Sequence, residues 1–159
     1  MKKTCGIYLL NKYNELLIVH PTYGPKKNSW SIPKGEPEEY EEFDSLSTAI
    51  REFYEETGIT ITKEVYYLGE NEYLSGRKTL TAYFIKDEDM EREKIVCESK
   101  RIINNKLLPE NDKYLWISVT KDKDRLINKY LHESQIIFID DIIDLIEPDI
   151  ETINFEDLI

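Results

Sequence analysis

Glu52, Glu55 and Glu56 recur at i, i+3 and i+4 within Arg51-Glu52-Phe53-Tyr54-Glu55-Glu56-Thr57-Gly58-Ile59. On a helix this spacing puts three carboxylates on one face, where like charges repel. A divalent cation turns that repulsion into ligation. Oxygen-only donors select a hard ion, Mg2+ or Mn2+, and such ions serve substrates that carry phosphates. A solvated acidic face is the plain alternative, and the segment ahead of the helix weighs against it. In Ser29-Trp30-Ser31-Ile32-Pro33-Lys34-Gly35, Pro33 stiffens a loop and Gly35 lets a ligand or side chain come close. Lys34 offers a charge suited to a phosphate. Arg51, beside Glu52 and four residues before Glu55, is placed to orient a carboxylate or neutralise part of the cluster. Tyr23 and Trp30 are candidates to stack on a base, although packing beside the loop is the stronger reading for Trp30.

These residues need a helix and a sheet to hold them. Leu46, Ala49, Ile50, Phe53 and Thr57 form the buried stripe of the helix. Asp44 or Ser45 caps its start and Gly58 its end. Strands are expected near Thr4–Leu10 and Glu15–His20, joined by a turn at Asn11–Asn14, and again near Glu64–Gly69, Thr79–Lys86 and Tyr114–Ser118. Tyr66 and Tyr67 read as sheet packing. Asp87–Lys94 reads as a hairpin or solvent loop, and Ile102-Ile103 as a pair able to join the sheet. Thr120–Asn128 is a weak helix and Glu133–Ile146 a stronger one stopped by Pro148, although its isoleucines also allow a strand at its start. The acidic tail Asp149–Ile159 offers Ile153, Phe155 and Leu158 for docking on the same domain, so the expected division is a domain over 1–147 and a tail over 148–159.

Gly35 through Ile59 resemble the Nudix box, whose pattern runs Gly-x5-Glu-x7-Arg-Glu-apolar-x-Glu-Glu-x-Gly-apolar. Gly35, Arg51, Glu52, Phe53, Glu55, Glu56, Gly58 and Ile59 match it. One departure stands out: Gly35 and Arg51 are 16 positions apart, two more than the pattern has. The extra residues fall in the acidic loop Glu36–Glu42, and either Glu41 or Glu42 supplies the pattern's first carboxylate. A loop absorbs two residues at little cost. The likeness extends over roughly Thr4 to Leu145 and includes Ser75–Phe84, similar to the strand after the box in dinucleoside polyphosphate hydrolases. It implies an α/β fold, the Nudix α/β/α sandwich with a mixed β-sheet.

The resemblance also implies a Mg2+-dependent hydrolase that cleaves a diphosphate linkage in a nucleoside diphosphate derivative, with Mn2+ as an alternative ion. Glu55 and Glu56 are the expected ligands, Glu52 shares a metal or acts as base, and Gly35 contributes backbone ligation or room. Glu110 is the expected remote carboxylate, as base or extra ligand, with Asp112 as its substitute. The lead-in and the Lys78-Thr79 strand point toward dinucleoside polyphosphates or nucleoside triphosphates; nucleotide sugars, RNA 5′ ends and a nucleotide-binding module without turnover are the alternatives.

Composition narrows the rest. A chain of 159 residues with 40% hydrophobic content fits one domain with its own core. Its net charge of −11 opposes nonspecific nucleic-acid binding, while Lys26, Lys27 and Lys34 remain local basic sites. Cys5 and Cys97 have neither metal-ligand spacing nor the pattern of a disulfide framework, which makes a reducing cytoplasm the expected setting. No apolar run is long enough to span a membrane. His20 and His132 read as structural or surface residues.

Overall fold

β1 (Lys2–Leu10) lies at the centre of the molecule because it is apolar on both sides. Ile7, Tyr8, Leu9 and Leu10 are all buried, as expected of a strand covered on both faces. A computed structural model describes residues 2–147; Pro148 and the acidic tail lie outside the described residues. β1 pairs in parallel with β5 (Lys78–Lys86) and antiparallel with β2 (Glu15–Pro21). β4 (Tyr66–Tyr73) and β8 (Asn111–Ser118) complete a mixed sheet in the order β4-β5-β1-β2-β8. The two-residue β3 (Lys34–Gly35) pairs with β1 beside Cys5 and Gly6.

α1 (Ser45–Thr57) covers one face of the sheet, with Ala49 and Phe53 packed on Cys5, Ile7, Leu9, Leu17 and Ile85. α3 (Glu133–Ile146) covers the other, with Phe138, Ile139 and Ile142 against Tyr8, Leu10, Leu16 and Ile18. The alternation of β1 side chains feeds both cores, which makes the architecture an α/β/α sandwich. Of the two expected caps for α1, Asp44 is the one used, its carboxylate accepting from Ser47 N at 3.1 Å. Gly58 ends the helix at φ 75° and donates its N–H to Tyr54 O, a left-handed cap that suits glycine.

Several expectations change. The strand expected at Glu64–Gly69 is β4 over Tyr66–Tyr73, and Tyr66 and Tyr67 are mostly exposed, Tyr67 meeting the Tyr83 ring at a tilt. Asp87–Lys94 is a loop rather than a hairpin. Ile102 and Ile103 do not join the main sheet. They belong to β6 (Lys100–Ile103), which forms a separate two-stranded hairpin with β7 (Lys106–Pro109). The register pairs Ile102 with Leu107, and both are exposed, so local cross-strand contact substitutes for a core. The weak helix expected at Thr120–Asn128 is a single turn, α2 (Lys123–Arg125), running into a π-turn over Leu126–Tyr130. α3 is helical from Glu133, without a strand at its start.

Candidate active site

Gly35 and Glu52 are brought together by two unrelated constraints. Pairing with Cys5 fixes Gly35 on the central strand, and the Phe53 face of α1 fixes Glu52 above it. A Cβ at Gly35 would lie 2.0 Å from Glu52 Cδ and 2.3 Å from each carboxylate oxygen. Only glycine leaves that space for the carboxyl group.

Arg51 organises the rest of the cluster. Its Nη1 donates to Glu52 Oε1 at 3.0 Å and to Glu55 Oε1 at 3.1 Å. Its Nε and Nη2 donate to Glu41 at 2.9 Å and 2.8 Å, and Nη2 also reaches the Glu36 carbonyl. The loop therefore supplies Glu41, and Glu42 is exposed. The two extra residues are taken up around a short 3-10 turn, Glu39–Glu41, that tucks Glu41 inward to 4% exposure. Hydrogen bonds from Arg51 hold the Glu41 carboxyl down at about 2, with Thr48 and the Glu38 N–H reinforcing them against burial.

Glu41 accordingly stabilises the fold as a carboxylate. A folded pKa below the ordinary 4.5 gives a contribution that is complete above the unfolded value and lost as pH falls toward about 2. Glu41→Gln is expected to cost about 2 kcal/mol at pH 7, since Arg51 keeps two other acids. Denaturant titrations at pH 7 and pH 3 should show the gap from wild type shrinking at the lower pH. Glu42→Gln should change stability by less than about 0.5 kcal/mol.

Glu56 faces a different way. It is 7% exposed, and its oxygens accept from Lys34 N at 2.6 Å and from Asn111 Nδ2 at 2.7 Å. The three helical acids thus do not meet at one point, contrary to the simple reading of their spacing. Glu52 and Glu55 converge on Arg51 Nη1, while Glu56 is turned toward β3 and β8. Burial pushes Glu56 up to about 8 against those two hydrogen bonds. It likewise pushes Glu52 up to about 7, with the charge of Glu55 adding to the effect. Two neighbouring acids whose charged forms are disfavoured mark a site short of positive charge.

The donors are all hard oxygens, Glu55 is 37% exposed, and the Glu52 carboxyl occupies the space that Gly35 leaves. Such donors suit a hard divalent cation, although among the described residues no three His, Cys, Asp or Glu side chains are gathered where they could hold one as they stand. With Glu52 and Glu55 drawn toward such an ion, Arg51 would still be neutralised by Glu41.

Of the helical acids only Glu56 lines a cleft of about 330 Å3, together with Lys34, Glu110, Asn111, Lys78 and His132, among others; Gly35, Arg51, Glu52 and Glu55 are not among its lining residues. Glu110 reaches this cleft, and its charge is felt at Glu52. Asp112 does not serve as its substitute, being paired with His20 Nδ1 at 2.9 Å. Trp30 and Tyr23 are not among the cleft-lining residues. Trp30 packs on His20 and edge-on against Tyr130, and Tyr23 is 66% exposed on its turn. Lys26 and Lys27 are exposed outside the cleft.

Sequence reasoning missed Asn111, whereas His132, read as a structural or surface residue, has a structural role and also lines the cleft. Asn111 adjoins the candidate Glu110, but its contact spans 55 residues to Glu56 and leaves no local signal. His132 caps α3, with Nδ1 accepting from Ser134 N at 3.1 Å.

A family model described as NUDIX domain matches residues 2–127. A search of curated protein sequences gave no match. Among solved structures, the chain resembles the NUDIX domain of Shewanella oneidensis NrtR complexed with ADP ribose, at 14% identity and TM-score 0.67, covering 92% of this chain and 89% of that one. It also resembles a C. elegans Ap4A hydrolase in a binary complex, at 18% identity and TM-score 0.59, covering 91% and 98%. A third is a bifunctional NMN adenylyltransferase/ADP ribose pyrophosphatase from Francisella tularensis complexed with AMP and Mn ion, at 17% identity and TM-score 0.63. That match covers 90% of this chain and 41% of the longer protein.

Proposed function

Since the chain belongs to the Nudix hydrolase family, we propose that it hydrolyses a phosphoanhydride bond in a nucleoside diphosphate derivative, most favourably a dinucleoside polyphosphate or a nucleoside triphosphate. The observation that carries this reading is the Glu52 carboxyl held over Gly35, next to Glu55, with Glu41 and Arg51 keeping both in place. Structural neighbours described with ADP ribose, as an Ap4A hydrolase, and with AMP and Mn ion support nucleotide chemistry.

Glu52 and Glu55, with Gly35 beside them, would hold Mg2+, for which Mn2+ can substitute, while Glu56, held apart by Lys34 N and Asn111, faces the cleft. Bound there, the ion supplies neutralisation of phosphate charge and a more acidic water. The chain's own groups do the rest. Lys34 draws a phosphate to the carboxylates, and its backbone N–H keeps Glu56 in place. Asn111 holds the other oxygen of Glu56. Glu110 accepts the proton of the attacking water, whose oxygen bonds to phosphorus as the bridging P–O bond breaks and the leaving phosphate departs. Arg51 is a positioning residue that screens Glu52 and Glu55 from each other's charge.

A reducing cytoplasm is the proposed setting; Cys5 and Cys97 are both free thiols, the first of them buried. No helix of the described residues is long and apolar enough to cross a membrane.

The test is a substrate panel of nucleoside triphosphates, dinucleoside polyphosphates, nucleotide sugars and 5′-triphosphorylated RNA, each with Mg2+ and with EDTA. Mononucleotide release that requires the metal is expected. Tight metal-dependent binding of one of these compounds with no product would instead indicate a nucleotide-holding module.

A further inference from the structure

In a chain with 32 acidic and 21 basic residues, the cleft beside the carboxylates gathers three cations: Lys34, Lys78 and Arg101. None of the three side chains has an ion pair or side-chain hydrogen bond among the described residues. They come from three separate elements, β3, β5 and β6. Arg101 is brought there by a hairpin whose two strands are both anchored at its base. The root of the β6–β7 hairpin is fixed to α1, where Glu98 N and Ser99 N both donate to the Glu55 carbonyl, at 2.6 Å and 2.9 Å. The second strand is tied at the same base to the end of β2, where Thr22 N donates to Glu110 O and Thr22 Oγ1 to Pro109 O. His132 lies near both Lys34 and Lys78, and burial together with their charges pushes its imidazole down. With Nδ1 used as an acceptor by Ser134 N, the neutral ring carries its proton on Nε2, a further uncharged donor in the cleft.

We propose that Lys78 and Arg101 form a second anionic subsite that holds phosphates beyond the bond being cleaved, and so select substrates with three or more phosphates. The reason is charge balance. A two-phosphate linkage is already served by a divalent cation and Lys34. Of the cleft's two acids, Glu56 is hydrogen-bonded to Lys34 N and Asn111, so Lys78 and Arg101 face Glu110 alone and leave a positive surplus. A longer phosphate chain supplies the balancing charge, and phosphate oxygens bind such groups strongly. The subsite rests on the hydrolase reading for its place in the reaction, but not for its ability to bind.

Two measurements on the full chain separate the two. In the first, kcat/KM with Mg2+ is compared for diadenosine tetraphosphate, ATP and ADP-ribose in wild type, Lys78→Gln and Arg101→Gln. Each variant should lose about tenfold on the two longer compounds, mainly through KM, and clearly less on ADP-ribose, as expected for one charge-assisted contact. In the second, calorimetry compares the β,γ-methylene analogue of ATP with ADP. The preference for the longer chain should fall about tenfold in each variant. Equal losses on all compounds, or an unchanged binding preference, would overturn the subsite even if the enzyme hydrolyses nucleotides. A binding preference that depends on Lys78 and Arg101 without any turnover would keep the subsite and refute the hydrolase.

Discussion

Glu55→Gln is expected to lower kcat/KM for metal-dependent hydrolysis by at least about 100-fold, the scale of removing one principal electrostatic contributor. The substitution preserves shape and the ability to accept from Arg51 while deleting the negative charge. Stability should stay close to wild type. Glu55 is partly exposed, and its partner Arg51 retains Glu41 at 2.8 Å and the Glu36 carbonyl at 3.0 Å. A rate loss combined with an unchanged melting temperature separates a site residue from a structural one. Partial recovery at high Mg2+ would trace the defect to weakened ion binding. Turnover near wild type would show that Glu55 does not serve the metal.

Gly35→Ala should be nearly as damaging, for a different reason. The added Cβ would come within 2.0 Å of Glu52 Cδ, which is the free end of a flexible side chain. Gly35 is not among the glycines with positive φ, so its backbone conformation accepts alanine. The carboxyl group therefore moves and the fold does not. The expected result is a loss on the order of 100-fold in kcat/KM, with stability within about 1 kcal/mol of wild type. The double variant Gly35→Ala with Glu52→Gln should be little worse than Glu52→Gln alone, because both act through one group. Full additivity would place the harm of the added methyl group somewhere other than Glu52.

What could be read in advance divides by the range of the interaction. The stop at Gly58 and the apolar stripe through Ala49 and Phe53 are set within one helix and were legible in the sequence, and the cap was legible as a choice between Asp44 and Ser45, of which Asp44 is used. The strands with strong apolar runs, around Ile7 and Ile85, were legible for the same reason. Contacts between distant segments were not. Nothing near Glu41 or Glu42 says which of them Arg51 will take, because that depends on how the inserted turn closes. The hairpin carrying Arg101 has apolar residues, Ile102 and Leu107, that look like sheet material, yet they pair with each other in solvent. Trp30 was legible only as a choice between base and core, and His20 on the preceding strand with Tyr130, distant in sequence, decide the matter.

The helical acids were legible as a set but not in their arrangement. Their spacing placed them on one face, whereas Arg51 gathers two of them and Asn111 with Lys34 N takes the third.

The central claim is that Glu52 and Glu55 bind a divalent cation where a phosphate can reach it. Titration of Mn2+ into the wild-type protein, followed by electron paramagnetic resonance, tests it without reference to any substrate. The expected result is saturable binding that Glu52→Gln and Glu55→Gln each weaken about tenfold or more, the range seen when groups around a metal are lost. Binding that is absent from wild type, or indifferent to both substitutions, would contradict it.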